Sequence, residues 1–285
     1  MTAAPAATPS LRGHFRITAA RDADGRTYLA RQDVRSPWHL SKPYWNGGSL
    51  TVQVINATAG MLEGDELELS VDAGPDTRLC ITSPSASRAY TMRGGGSAIC
   101  RQRFTAAAGA VLDVFPEPLF PHARTRYRQE TECRLARGSS VFLAEQIAPG
   151  RAARGEIWAW DRLDIITEVR MDGKLILAER LEGNGADLGA LAARHGFAEA
   201  WFGTAAIAAP ALEKDEGWLP ALRALHRPEA GVQAGISRLT GEVPVWIFKT
   251  TAATAPLLRE TMRATRALLS PALPMLGGDL RKSPQ

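Results

Sequence analysis

The side chains of this chain best placed to do chemistry are carboxylates set in apolar surroundings. Glu145, Glu156, Glu168 and Glu179 sit on or beside apolar segments. Two carboxylates about 5–10 Å apart in a cleft can run general acid–base hydrolysis. Glu145, Glu156 and Glu179 are the candidates for such a pair. Arg151, Arg154 and Arg180 lie close by in sequence. A buried carboxylate is commonly held by an arginine, so ion pairing competes with catalysis at each position. Asp65 closes the run Gly60-Met61-Leu62-Glu63-Gly64-Asp65. That is turn composition, and it predicts a carboxylate bracing backbone ahead of one placed at a cavity mouth.

Other chemistries find little support. Ser83, Ser85 and Ser87 lack the Gly-x-Ser-x-Gly context of a nucleophile elbow. Gly94-Gly95-Gly96 is followed by strand-like residues and no Lys-Ser/Thr, so it reads as a hairpin loop and not a phosphate loop. His14, His39, His122, His195 and His226 contain no i, i+2 or i, i+4 pair that would present two imidazoles to a metal. His122 opens a predicted strand and is expected to be a hydrogen-bonded structural imidazole. Cys80, Cys100 and Cys133 are odd in number and widely spaced. They suit small buried side chains, not a disulfide framework or a zinc site.

The 285 residues carry a net charge of +4, and among the basic side chains only Lys42, Lys174, Lys214, Lys249 and Lys282 are lysine. Arginine favours bidentate pairing with carboxylates. The arginines alternate with Glu and Asp, which argues against a nucleic-acid surface. No apolar run reaches the roughly 18 residues of a membrane span. The Ala/Pro-rich start has no basic region before an apolar one. A cytoplasmic protein without membrane or nucleic-acid partners is expected. Residues 1–10 and 275–285 are expected to be disordered tails around one mainly-β domain over 11–274.

The elements that must position these groups are mostly strands. Residues 66–72, 124–135 and 162–172 alternate apolar and polar side chains, the signature of half-buried strands. Asp172-Gly173 predicts a two-residue hairpin turn. Gly74, Gly109 and Gly138 each precede an apolar run, giving a strand, glycine turn and strand three times over. Two helices are expected in the C-terminal half, over 212–225 and 254–269, with Thr254 as the cap of the second. Between them, 232–239 and 243–249 read as a hairpin. The fold expected is mainly β, with stacked, solenoid-like sheets and two C-terminal helices.

Several blocks in order resemble one family. They are Gly60–Asp65, Thr82–Tyr90, Phe115–His122, Ala123–Thr131 and Gly150–Glu156. Their residues and spacing are similar to those of the UreD/UreH urease accessory proteins, best over roughly 40–182. Where family members often carry Gln and Lys, this chain has Pro84 and Arg88. The resemblance implies a non-enzymatic chaperone that scaffolds the nickel-delivery complex on apo-urease. It implies a UreF-like accessory protein as direct partner and a UreG-like GTPase as indirect partner. It also implies nickel in transit through an internal tunnel, with no tightly bound cofactor. On that implication Asp65, Glu145 and Glu156 are the candidates to line the nickel path. A carboxylate-dependent hydrolase and a β-sandwich module for a small ligand are the alternatives.

Overall fold

The computed structural model describes residues 10–213, 216–241, 243–278 and 280. The expected tail at 1–9, and 279 and 281–285 of the other, lie outside these. The first strands are β1 (Arg12–Arg21), β2 (Thr27–Val34), β3 (Trp38–Leu40), β4 (Tyr44–Asn46) and β5 (Ser49–Asn56). There follow β6 (Glu66–Ala73), β7 (Arg78–Thr82), β8 (Ser87–Ala89), β9 (Ala98–Ala106), β10 (Val111–Phe115) and β11 (Leu119–Pro121). Next come β12 (Arg126–Leu135), β13 (Ser140–Ile147), β14 (Gly150–Arg151), β15 (Glu156–Ile157), β16 (Arg162–Met171) and β17 (Lys174–Gly183). The C-terminal part holds α1 (Gly185–Arg194), β18 (Trp201–Ala208), α2 (Trp218–Arg223), β19 (Val232–Arg238), β20 (Val245–Ala252) and α3 (Ala255–Leu268).

Two large sheets face each other. The first runs β17-β16-β12-β9-β6-β1-β2, and the second has the path β19-β20-β18-β13-β10-β7-β5-β3. Three arches connect them. In each, a strand of the first sheet turns and continues as a strand of the second: β6 to β7, β9 to β10, β12 to β13. Within each sheet the three equivalent strands are parallel neighbours. The arches stack like coils of a solenoid, which is the stacked architecture the alternation predicts. The left-handed position that bends each arch is Asp76, Gly109 and Gly138 in turn, with φ of 56°, 71° and 84°. Gly74, singled out by sequence, is not the equivalent of the other two.

Parallel register puts like residues in layers. Val71, Phe104, Cys133 and Val169 form one inward layer of the first sheet, and Ala73, Ala106, Leu135 and Met171 the next. All eight are buried and meet residues such as Leu79, Leu112 and Val141 of the second sheet. The outward face is ionic. Arg12, Glu66, Arg101, Glu130, Arg128, Asp164, Arg180 and Glu182 form a continuous chain of salt bridges across the strands. The alternating Arg/Glu pattern of the sequence is thus a solvated face that pairs with itself.

The C-terminal helices cover the outside of the second sheet. Thr254 caps α3 by accepting the Leu257 N–H. Leu258 and Met262 press onto β18, and Gly203 permits this: a Cβ there would stand 2.7 Å from the Met262 sulfur. Among the described residues there are three α-helices where two were expected. α1 escaped prediction because its Gly- and Ala-rich sequence carries little apolar periodicity. The helix expected over 212–225 is shorter. A 3-10 turn occupies Pro210–Glu213 and α2 only Trp218–Arg223.

The boundary expected at 274 falls inside packed structure. Met275 and Leu276 are buried in the cluster beneath α3. Arg266 of α3 holds them from below. It donates to Asp113 of β10 at 2.8 and 2.6 Å and to the carbonyls of Leu276 and Gly278.

Candidate functional site

The space between the sheets is not filled everywhere. Beside the Val71–Phe104 layer the inward residues become Leu69, Gln102, Thr131 and Thr167, and beyond them Leu67, Cys100, Gln129 and Ile165. Here a cavity of about 150 Å³ lies between the sheets, lined in part by Gln102, Tyr127, Gln129, Thr131 and Glu145. Such a volume has room for water beside these polar groups, although most of the lining is apolar. Residues 83–87, half-buried to exposed, form its outer rim together with Glu117.

Glu145 is the acid inside. It projects from β13 between the sheets and meets donors from the opposite sheet. The Gln129 amide donates to Oε1 at 2.6 Å, and the Thr167 hydroxyl donates to Oε2 at 3.0 Å. Tyr127 donates in turn to the Gln129 carbonyl oxygen at 3.0 Å. Glu145 has no ion-pair partner among the described residues. Burial pushes its pKa up to about 7, against the pull of the bonds from Thr167 and Gln129, and the Glu179 carboxylate raises it further. A carboxyl group poised in this way exchanges its proton near neutrality. It offers a hard oxygen donor to a cation without the cage that would trap one.

Asp65 and Glu156 line no part of this cavity. Asp65 is buried ahead of β6, where Oδ1 accepts the N–H of Leu11 at 2.8 Å and Oδ2 that of Leu62 at 2.7 Å. It braces backbone, as its turn composition predicts. Glu156 on β15 receives both arms of the Arg151 guanidinium and the N–H of Ala123 at 3.1 Å. The Arg151 hydrogen bond holds its carboxyl below the usual carboxylate range. Among the described residues no group of three or more His, Cys, Asp or Glu could hold a metal ion. The three candidates are therefore not gathered at one point.

The remaining carboxylates are also engaged. Glu168 pairs with Arg170 and Glu179 with Lys249, each at 2.7 Å. Glu117 at the rim faces Arg259 and Arg263 at 3.3 and 3.8 Å. Of the acids considered for a hydrolytic pair, Glu145 alone lies in the cavity. Cys80, Cys100 and Cys133 are free and buried. Cys100 lines the cavity, but burial pushes its thiol up to about 11, away from nucleophilic reactivity at neutral pH. His122 is buried but follows the end of β11 instead of opening a strand, and among the described residues its Nε2 has no hydrogen-bond partner. Gln129 and Thr131 were not singled out by sequence. Their signal was there: polar side chains on the inward face of β12, between Tyr127 and Cys133.

The sequence model described as UreD urease accessory protein matches residues 11–279. A protein of Opitutus terrae named urease accessory protein UreD is 47% identical over 95% of this chain and 98% of its own length. One of Acetivibrio thermocellus with the same name is 32% identical over 56% of this chain and 62% of its own. One of Anaeromyxobacter sp., also so named, is 33% identical over 59% and 56%. The similarity extends well beyond residues 40–182, where the ordered blocks are densest. Among the described residues no helix is long and apolar enough to cross a membrane.

Proposed function

The chain belongs to the UreD urease accessory protein family, and on that premise we propose that it scaffolds nickel delivery onto apo-urease and conveys the ion. It works without turnover of its own, in the cytoplasm, joined directly to a UreF-like accessory protein and through it to a UreG-like GTPase. Nickel is cargo in this reading, not a resident cofactor. The observation that carries it is the cavity between the sheets, mostly apolar in its lining, into which one unpaired carboxylate, Glu145, projects among amide and hydroxyl groups. Divalent ions bind such oxygen donors weakly and exchange readily, whereas a Cys/His cage would hold them.

Within this reading Glu145 is the transit residue. Asp65 and Glu156 support the fold around it, since backbone N–H groups and Arg151 already use their oxygens. The test is co-expression with urease and its accessory proteins. Glu145→Ala is expected to lower the nickel content and activity of urease severalfold while the complex is still recovered by pull-down. Full activation by this variant, with intact assembly, would remove Glu145 from the path. A hydrolytic rate on ester or glycoside substrates that vanishes in the same variant would instead favour the carboxylate-hydrolase alternative.

A further inference from the structure

A row of polar side chains crosses the space between the two sheets. On the first sheet it consists of Thr131, Thr167 and Glu179, which strand register sets side by side on β12, β16 and β17. On the second sheet the facing row is Glu145, Thr204 and Lys249, on β13, β18 and β20. Two contacts join the rows. The Thr167 hydroxyl donates to Glu145 at 3.0 Å, and the Lys249 ammonium donates to Glu179 at 2.7 Å. The adjoining layer is apolar: Cys133, Val169 and Leu177 on one sheet, Leu143, Ala206 and Ile247 on the other. The ion pair of Glu179 and Lys249 therefore spans the gap between the sheets, unlike the arginine–glutamate chain on the outer face of the first.

The row runs from the interior to the surface. Glu145 lines the cavity at its inner end. Thr131 and Thr167 are buried, Glu179 is half-buried and Lys249 is exposed. β17 is the edge of the first sheet, and β20 lies one strand in from the edge of the second. On that edge strand, β19, the register partner of Lys249 is Gly235. A Cβ at Gly235 would meet nothing within 4 Å. The flexible four-carbon stem of Lys249 thus has open space on one side, and its ammonium can move there away from Glu179. An ion pair so near the surface is held weakly. Polar groups placed between sheets are costly unless they find partners, and a row that reaches the edge can find them in water.

We propose that the ion pair of Glu179 and Lys249 is a gate on a lateral entrance to the Glu145 cavity, opposite the rim at 83–87, and that Lys249 opens it by swinging toward Gly235. Opening frees the Glu179 carboxylate to face solvent at the entrance, so the open gate favours small cations. The hydroxyls of Thr204 and Thr167 then flank the way to Glu145. The gate goes beyond the nickel reading and does not depend on it.

The experiment places a thiol reporter in the row, Thr204→Cys, and times its reaction in the full-length chain with methanethiosulfonate reagents of positive or negative charge. Cys80, Cys100 and Cys133 are buried, so the parent chain supplies the baseline. Lys249→Met and Glu179→Gln are each expected to raise the labelling rate about fivefold, the upper end of what a partly exposed ion pair contributes. The charge preference should reverse between them. With Glu179 alone at the entrance the cationic reagent is faster, and with Lys249 alone the anionic one. Arg238→Gln removes a different ion pair of β19, with Glu213, and should leave the rate unchanged. Thr167→Cys, on the facing wall, is the reporter if Thr204→Cys does not fold. Neither metal nor urease enters the measurement, so its outcome is separate from that of Glu145→Ala in co-expression. Rates unmoved by both gate variants, the same charge preference in both, or an equal rise with Arg238→Gln would overturn the gate.

Discussion

Glu145 gives the fold a pH response of unusual sign. Its folded pKa is raised to about 7 from an ordinary value of 4.5. Between those values the folded chain holds a proton that the unfolded chain has released. Stability therefore falls as pH rises from about 4.5 to about 7, opposite to the behaviour of a salt-bridged carboxylate. Glu145→Gln removes the charge and keeps an acceptor for Thr167. It is expected to flatten this slope and to be more stable than the parent at pH 8, measured by urea unfolding at pH 5 and pH 8. An equal slope in both proteins would place the titration elsewhere. Sequence identified Glu145 and Glu156 alike as carboxylates near apolar segments and could not separate them. The distinction arises in space. Arg151 reaches back across a two-strand hairpin to Glu156, while Glu145 faces an opposite sheet that offers only an amide and a hydroxyl.

The arches between the sheets are the repeating element. Gly109 and Gly138 hold equivalent left-handed positions but have different surroundings. A Cβ at Gly138 meets nothing within 4 Å, whereas one at Gly109 would stand 2.0 Å from the Asp76 carboxylate. Gly138→Ala should therefore cost only backbone strain, about 1–2 kcal/mol. Gly109→Ala should cost more, because Asp76 of the neighbouring arch must also move. Denaturant unfolding of the two variants checks the order, and a larger loss at Gly138 would contradict it. The strands of these arches were legible because half-buried strands alternate in sequence. Their stacking was only partly legible. Asp76 takes the left-handed place that glycine fills in the other two arches, so a search for glycine alone shifts the repeat to Gly74. α1 was missed for the converse reason: its stability comes from packing, with Gly185 and Gly189 against Trp158, and its sequence shows little of this.

Across the whole molecule, the contact that binds the C-terminus to the centre is the buried pair of Arg266 and Asp113. Asp113 stands in the apolar run Val111-Leu112-Asp113-Val114-Phe115, an acid that demanded a buried cation, but nothing in sequence named Arg266. Removing one member of such a pair strands the other charge. Arg266→Met is expected to cost about 3–5 kcal/mol, and adding Asp113→Leu should restore much of the loss. Unfolding in guanidinium measures both. A double variant no better than the single would show that Arg266 matters chiefly through the carbonyls of Leu276 and Gly278. The pair also has a consequence for biosynthesis. The two residues are separated by 153 positions. A ribosome adding on the order of 10 residues per second exposes Asp113 roughly 15 s before Arg266. Through that interval β10 can enter the second sheet only by burying an acid without its cation. The nascent chain thus has reason to keep β10 unassembled until α3 has emerged. Closure of the second sheet around β10 waits on a helix that lies far along the chain.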